Sequence, residues 1–509
     1  MTIELAVERR AVNPLSVLLI ASTGCTMTVL DTNVVAIVLP TVARDFRASF
    51  ADVEWVISTY VLCFASLLLP AGAIADRFGR RRIFLIGIGA FAVTSLLCGL
   101  APSAMALYLA RALQGASAAF LLAPALAIIG HSFHGEAERN RAWAIWGGLM
   151  GLTMVLAPII GGVIAYAVGW RWAFHINVPI CALLGVAAAL FITESRDADA
   201  RRLDPAGILL FTASMFGLTW GLINGQAHGW TSASAMTGFI GGALAVGMFV
   251  IAERAQDRPM LDLLLLLNPR FVGAVWAMFA YAACAQVMAS MLPLFLQNGL
   301  GRTALEAGFA MLPFALAMLA FPHIGRLLGR HLSSPGVLAL GLVVVGLGNA
   351  WTGAGAYLGS WQVVMSGMLV LGSGGGLLNG ETQKAIMSVA PRERAGMASG
   401  ISTTSRFSGI LLGFALLSGV LATVVRGNLA TTACGDPCRQ NSGFADAVVA
   451  GDLPNAVAGL TGPARDIAIE DARSAFSGGF SMALMAAAAF ALISSLAIYR
   501  LTRDPPTRR

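Results

Sequence analysis

Long apolar segments separated by short polar ones form the pattern of this chain. A run of about 20 apolar residues can cross a lipid bilayer as an α-helix, and the chain contains fourteen such runs. They lie at about residues 14–39, 53–75, 83–101, 105–130, 143–167, 172–193, 205–224, 235–252, 271–296, 304–324, 336–355, 361–388, 397–424 and 478–500. The pattern predicts an all-α integral membrane protein with fourteen transmembrane helices, numbered here as spans 1 to 14.

Composition agrees with a protein whose main solvent is lipid. Of the 509 residues, 57% are hydrophobic and 12% are charged, and the mean hydropathy is +0.77. A soluble chain of this size could not cover so much apolar surface. The formal charge of +7 is explained by arginines at membrane surfaces, so we expect membrane lipids and no nucleic acid as partners.

A short arginine-rich loop between spans 2 and 3 predicts the orientation. The sequence Gly72–Arg82 reads GAIADRFGRRR, and short basic loops stay in the cytoplasm. Both termini are then cytoplasmic, and 22 of the 33 Lys and Arg lie in the termini and cytoplasmic loops. Arginine outnumbers lysine 32 to 1, which favours a GC-rich bacterial source. We therefore expect a multi-pass protein of the bacterial cytoplasmic membrane.

Two charged residues are predicted inside the membrane in the first half of the chain. Counting at ~1.5 Å per residue places Asp31 roughly 13 Å and Arg111 roughly 9 Å from the outer surface. Ionisable groups at such depth are costly and mark functional sites. Asp31 is the only carboxylate that we assign to a span in this half, so we predict that it meets Arg111 directly or through water. Proton uptake by Asp31 would weaken that contact; the alternative is a structural carboxylate with a permanent partner.

Glu381 is the deep carboxylate of the second half. It lies ten residues before Pro391, roughly 15 Å deep and close to the membrane midplane. It could serve as a proton or cation site in a cavity. Alternatively it could pair locally with Lys384, the only lysine of the protein, and Arg406 of span 13 is a rival partner.

Five motifs occur in order along the chain. They are Leu30–Pro40 in span 1, Gly72–Arg82 in loop 2–3, Leu107–Ala119 in span 4, Gly147–Gly162 in span 5 and the aromatic turn Trp170–Pro179. Together they resemble the motifs of the major facilitator superfamily, and within it those of the fourteen-helix drug:proton antiporter family. One departure is Ala157, where that family usually has glycine before Pro158. This is a small change, so the motif still favours an antiporter over a symporter.

The resemblance implies the major facilitator fold, with two six-helix bundles and two extra central helices. The predicted domains are residues 1–195 for the first bundle, 196–265 for the extra helices and 266–509 for the second bundle. The second bundle carries an extracytoplasmic insertion at 426–477, which is a tolerated insertion, a lid or a partner surface. In this fold the bundles rock around a central cavity to give alternating access.

The resemblance also implies three groups of site residues besides the proton-coupling residues Asp31, Arg111 and Glu381. The cytoplasmic gate would use Gly72, Asp76, Arg77, Gly79 and Arg80, with Asp76 meeting a neighbouring helix end. The helix-bend antiporter motif would use Gly151, Pro158, Gly161 and Gly162. The substrate cavity would be lined by Asn33, Tyr60, Gln114, Asn379, Glu381 and Arg406, although an interfacial belt explains aromatics such as Tyr60 and Trp55 more often than a binding site does.

Missing motifs restrict the energy source. No Gly-x4-Gly-Lys-Ser/Thr sequence occurs, and neither the six histidines nor the seven cysteines form a metal-ligand set. No catalytic cluster is present, so we predict that the protein is not an enzyme and uses no cofactor other than protons as coupling ion. The predicted function is a proton-coupled multidrug exporter, working as a monomer, that extrudes hydrophobic and cationic compounds.

Several alternatives remain at this point. The protein could be a dedicated proton-coupled exporter of a self-made metabolite, such as an antibiotic or a siderophore. A lipid scramblase or a membrane sensor is a more remote alternative. Cys434 and Cys438 are close enough in sequence to form a disulfide outside the membrane, although spacing alone does not establish the geometry.

Overall fold

The computed structural model describes residues 13–133, 136–196, 204–255, 265–389, 395–431 and 443–502, and within these ranges the chain is almost entirely α-helical. The helices are α1 Pro14–Phe46, α2 Phe50–Phe78, α3 Arg80–Gly99, α4 Ala104–Ser132, α5 Glu136–Ala167, α6 Trp172–His175, α7 Asn177–Phe191, α8 Pro205–His228, α9 Ala233–Ala255, α10 Pro269–Tyr281, α11 Met288–Asn298, α12 Ala304–Ala310, α13 Leu312–Leu328, α14 Ser334–Tyr357, α15 Trp361–Leu378, α16 Glu381–Val389, α17 Ala395–Thr431, α18 Phe444–Ala450, α19 Leu453–Ala456 and α20 Pro463–Thr502.

The predicted fourteen membrane-spanning segments are confirmed. Fourteen stretches of the described chain are long and apolar enough to cross a membrane. Span 9 combines α10 and α11 through a π-helical turn at Ala282–Gln286. Span 12 is interrupted between α15 and α16, where Gly380 has a φ of +90°, a backbone conformation that glycine adopts without steric cost.

The helices form two bundles with two additional helices. The first bundle contains α1 to α7, and the second contains α10 to α17 together with α20. Helices α8 and α9 pack mainly against each other, while α8 also contacts α2 and α17. This is the predicted fold of two six-helix bundles plus two extra helices, while the residue numbers given above for the domain boundaries stay a prediction.

The two ends of the helices define two sides of the molecule. The side that contains Gly79, between α2 and α3, is called the loop 2–3 side. The side that contains Arg47, between α1 and α2, is called the distal side. Polar caps begin helices on the distal side, because Ser49 forms a capping box with Asp52 at the start of α2 and Thr303 forms one with Glu306 at the start of α12.

Part of the predicted insertion at 426–477 is helical. Helix α17 continues to Thr431 and α20 begins at Pro463, so helical structure enters the segment 426–477 from both ends. The hydropathy criterion ended the spans where polar residues begin, but a helix can continue beyond the membrane when its polar groups face water. Cys434 and Cys438 lie outside the described residues.

Candidate functional site

The side chains of Asp31 and Arg111 form a direct ion pair inside the first bundle. Oδ2 of Asp31 on α1 lies 2.5 Å from Nη1 of Arg111 on α4. Each residue is only 1% exposed. The predicted contact between the two residues is therefore present, without an intervening water. Buried charges are costly unless they are paired and hydrogen-bonded, so the stability of this pair depends on the groups around it.

Amide side chains form further hydrogen bonds with the pair. Gln114, one turn after Arg111 on α4, donates from Nε2 to Oδ1 of Asp31 at 2.9 Å and to the Ser95 hydroxyl at 2.8 Å. Its Oε1 accepts from Nη1 of Arg111 at 2.7 Å. Asn177 of α7 donates from Nδ2 to the same Asp31 oxygen at 3.0 Å. Four helices thus contribute to one buried polar network, which we call the Asp31 network.

Two residues of the Asp31 network were not found by sequence reasoning. Asn177 lies in the aromatic turn motif, but the motif by itself assigned it no role. Ser95 is a lone serine in the apolar helix α3, and such serines usually bond to their own helix backbone. Both side chains acquire their role only because α3 and α7 pack next to α1 and α4.

Tyr60 belongs to the interior of the first bundle. It is 1% exposed, and its ring lies 4.0 Å from the guanidinium carbon of Arg111, an arrangement that stabilises a cation. Gly115 allows this approach, because a Cβ at that position would overlap the backbone carbonyl of Tyr60. The interpretation of Tyr60 as part of an interfacial belt is wrong, since α2 and α4 pack closely enough to bury it.

A second buried carboxylate lies in the first half of the chain. Glu54 of α2 is 1% exposed and accepts a hydrogen bond from the Ser418 hydroxyl of α17. The count of Asp31 as the only span carboxylate of this half was therefore wrong. Glu54 was missed because it lies near the end of span 2, where an acid would be solvated if α17 did not cover it.

The two bundles are in close contact on the distal side. Gln297 of α11 donates from Nε2 to the backbone oxygen of Ile37 on α1 at 2.8 Å. A Cβ at Gly308 of α12 would overlap the backbone carbonyl of Pro158 on α5. Since these contacts bring α1 and α5 directly against α11 and α12, the distal side is closed in this structure.

The helix-bend motif supplies part of that closure. Added Cβ atoms at Gly161 and Gly162 would lie 3.2 Å from Ile37 Cβ and 2.7 Å from Ala304 O respectively. At Gly151, an added Cβ would lie 2.5 Å from Cδ1 of Leu319. The motif therefore places α5 in close contact with α1 of its own bundle and with α12 and α13 of the other bundle.

The loop 2–3 motif is held together within the first bundle. Nε of Arg80 lies 2.7 Å from Oδ1 of Asp76. Glu194, after α7, accepts hydrogen bonds from the backbone N–H groups of Arg81 and Arg82 at 3.0 and 3.1 Å. Gly79 has a φ of +113°, and a Cβ there would lie 2.7 Å from the Glu194 carboxylate.

Asp76, on α2, contacts the first residue of the neighbouring helix α3, because its Oδ1 accepts a hydrogen bond from Nε of Arg80. Its role in a gate stays a prediction. The N-terminus of α3 is bonded to Glu194, which the sequence did not single out; a carboxylate is favoured there by the helix dipole. Arg77 lies near the ring of Phe78, and a Cβ at Gly72 would be in ordinary contact with Ala123.

Glu381 pairs locally rather than across the bundle. Its carboxylate accepts from Nζ of Lys384 at 3.2 Å and from the Ser334 hydroxyl at 2.8 Å. Ser334 is the first residue of α14, so Glu381 is level with the loop 2–3 end of that helix. The expected midplane position is wrong because the chain breaks at Gly380 and a new helix begins at Glu381. Arg406 bonds to Gln286 at 2.8 Å instead.

The residues expected to line one substrate cavity are distributed over separate places. Gln114 belongs to the Asp31 network, and the ring of Tyr60 packs against Arg111 of that network. Asn33 is half-buried and donates to the Val29 carbonyl of its own helix at 2.8 Å. Asn379 is exposed at the break before α16.

Solved structures share the architecture described above. A bacterial homologue of the human lysosomal transporter Spinster, in an inward-facing and unoccupied conformation, superposes with a TM-score of 0.63 over 97% of this chain and 98% of that chain, at 19% identity. A transporter of the POT family in complex with 5-aminolevulinic acid superposes with a TM-score of 0.64 at 13% identity, over 96% of both chains. At these identities the likeness concerns the fold alone.

Curated relatives extend over nearly the whole chain. Multidrug resistance protein Stp of Mycobacterium tuberculosis (strain CDC 1551 / Oshkosh) is 33% identical, covering 94% of this chain and 90% of that protein. The tetracenomycin C resistance and export protein of Streptomyces glaucescens is 31% identical, covering 97% and 93%. The multidrug efflux pump LfrA of Mycolicibacterium smegmatis is 30% identical, covering 96% and 94%. The family model described as Major Facilitator Superfamily matches residues 21–414, and this chain belongs to that superfamily of membrane transporters.

Proposed function

We propose that this protein is a proton-coupled exporter of hydrophobic, cationic compounds, working by alternating access in the bacterial cytoplasmic membrane. The observation that carries the proposal is the buried ion pair between Asp31 and Arg111. The loop 2–3 side is assigned to the cytoplasm because of its arginines. The distal side then faces outward, and it is the side on which the two bundles are in contact in this structure.

The Asp31 network would couple proton binding to the movement of the bundles. A proton on Asp31 removes the counter-charge of Arg111, and an uncompensated buried charge costs about 3–5 kcal/mol. Arg111 would keep the Gln114 oxygen and the Val56 carbonyl, which its Nε approaches at 3.3 Å. The two protonation states therefore prefer different arrangements of α1 and α4, and a proton gradient can shift that equilibrium.

The names of the relatives support a broad drug substrate class. Stp is described as a multidrug resistance protein and LfrA as a multidrug efflux pump. Aromatic side chains from both bundles meet between them, because Phe64 of α2 and Phe407 of α17 have ring centroids 4.6 Å apart. Such rings bind flat apolar cations by stacking and by cation–π attraction, which suits loose specificity.

Proton-driven ethidium transport in proteoliposomes would test the proposal. Wild type, Asp31→Asn and the exposed control Asp466→Asn are compared under an imposed pH gradient. We expect the gradient to accelerate transport by wild type and by the control, and to have no effect on Asp31→Asn. A wild type that ignores the gradient would overturn the multidrug exporter, and an Asp31→Asn variant that responds fully would overturn the proton site.

A dedicated metabolite exporter is the second candidate. Several relatives are named for single compounds, among them the tetracenomycin C export protein and the cephamycin export protein CmcT of Amycolatopsis lactamdurans. The same proteoliposomes, supplied with a panel of unrelated dyes, separate the two candidates. Gradient-driven transport of several dyes supports the multidrug exporter, and transport of none supports the dedicated one.

A further inference from the structure

A cavity of about 530 Å³ lies between the two bundles on the distal side. Its wall comes from α1 and α5 of the first bundle and from α11, α12, α19 and α20 with their loops in the second. The volume is in the range of small-molecule sites. It is remote from the Asp31 network, and none of the residues singled out above for proton coupling, gating or substrate binding lines it.

The charged residues on the wall of this cavity are all arginines. Arg44 comes from α1, Arg302 from the loop before α12, and Arg473 from α20. Among the described residues, no carboxylate lines the cavity. Three cations facing one space repel each other, so an anion between them would be strongly favoured.

Two hydrogen-bond donors on the wall lack an acceptor within the described structure. Arg473 forms no hydrogen bond or ion pair there, and its guanidinium packs against Gly301, whose φ is +64°. Nδ2 of Asn298 is buried and has no hydrogen-bond partner among the described residues. Arg473 is exposed at the rim of the cavity, whereas the buried Nδ2 of Asn298 is costly to leave without an acceptor. An oxyanion would accept hydrogen bonds from both.

The nearest carboxylates compensate the arginines only in part. Arg44 is bonded to neutral groups, its Nε to the Pro40 carbonyl and its Nη2 to the Thr41 hydroxyl, both at 3.1 Å. Asp452 interacts with Arg44 at longer range and accepts a hydrogen bond from Nδ2 of Asn455 at 2.8 Å. Glu306 lies 3.9 Å from Arg302, and both side chains are about half-exposed, so this pair is weak.

We propose that this cavity binds a phosphate-type oxyanion, either free or as the headgroup of an anionic lipid. Guanidinium groups bind phosphate through paired N–H donors, and three of them surround the space. The cavity exceeds the size of a phosphate ion and leaves room for a headgroup. Since both bundles contribute to the wall, the complete site exists only while the distal side is closed. Occupancy would therefore stabilise that arrangement by linkage.

Thermal unfolding of the purified full-length protein tests the site with two probes. In detergent, sodium phosphate is compared with sodium chloride at equal ionic strength, which removes general screening. In nanodiscs without phosphate, phosphatidylglycerol is compared with phosphatidylcholine. We expect at least one probe to raise the unfolding midpoint by about 2 °C or more in wild type. A response to phosphate identifies a free oxyanion, and a response to phosphatidylglycerol alone identifies the lipid headgroup.

Substitution of Arg473 ties the response to this cavity. Arg473→Gln should lose the response, whereas Arg465→Gln, two turns earlier on the same helix and away from the cavity, should retain it. If Arg473→Gln does not fold, Arg473→Lys serves in its place and should bind radiolabelled phosphate or lipid more weakly than wild type. A wild type indifferent to both probes, or an Arg473 variant with the wild-type response, would overturn the proposal.

Discussion

Nη1 of Arg111 contacts Oδ2 of Asp31 at 2.5 Å and Oε1 of Gln114 at 2.7 Å, and all three residues are buried. The same nitrogen thus bonds to a charged acceptor and to a neutral one. Protonation of Asp31 would weaken the first bond and leave the second, so the network can change state without losing every contact of the arginine.

The free-energy balance of this pair can be measured with a double-mutant cycle. Asp31→Asn should lower the unfolding midpoint, because it leaves Arg111 as an unpaired buried charge at a cost of about 3–5 kcal/mol. Arg111→Gln should do the same through Asp31. The double variant should be less destabilised than the sum of the two, since no buried charge remains. Thermal unfolding in detergent measures all three, and strict additivity would contradict a direct interaction.

The approach of α2 to α4 should depend on Gly115. Gly115→Ala places a methyl group against the backbone carbonyl of Tyr60, which should cost about 1–3 kcal/mol and displace Tyr60 from Arg111. Gly130→Ala on the same helix is the matched control, because a Cβ there meets no atom within 4 Å. We expect lower thermal stability and reduced gradient-driven transport only in the Gly115 variant. Equal behaviour of the two variants would argue against this packing.

Closure of the distal side should depend on Gly308. Gly308→Ala places a methyl group against the Pro158 carbonyl of the other bundle and should shift the population toward an open distal side. Spin labels at Val168 and Leu358, both exposed in distal-side loops of different bundles, report the separation by electron–electron distance measurement. Gly325→Ala, whose Cβ would be 3.4 Å from its nearest neighbour, is the control. An unchanged distance distribution in Gly308→Ala would contradict the contact.

Proton coupling should survive the loss of the Glu381 carboxylate. Glu381 is bonded to Lys384 and Ser334 at the loop 2–3 end of α14, and an i,i+3 pair of this kind contributes about 0.2–0.5 kcal/mol. Glu381→Gln should therefore transport ethidium under a pH gradient at a rate within about twofold of wild type. Loss of the gradient response, comparable to that expected of Asp31→Asn, would restore Glu381 as a proton site.

Hydropathy and the chemistry of single side chains were enough to predict the membrane topology and one contact of the site. The number of spans, the membrane class and the position of the loop 2–3 motif follow from the sequence, because the cost of placing a residue in lipid depends mainly on its own side chain. The pairing of Asp31 with Arg111 followed from the same argument. Each charge lies too deep for solvent. Because Asp31 was the only carboxylate assigned to a span in that half, Arg111 was predicted to pair with it.

The tertiary structure decided everything that depends on which helices are neighbours. Asn177 and Glu54 acquired partners 146 and 364 residues away in sequence, and Ser95 acquired one on another helix, 19 residues away. No local pattern reports such contacts. The position of Glu381 required the chain break at Gly380. Sequence alone therefore determined which groups lipid would not tolerate unpaired, whereas helix packing determined which groups pair, because contacts between helices depend on the shapes of both surfaces.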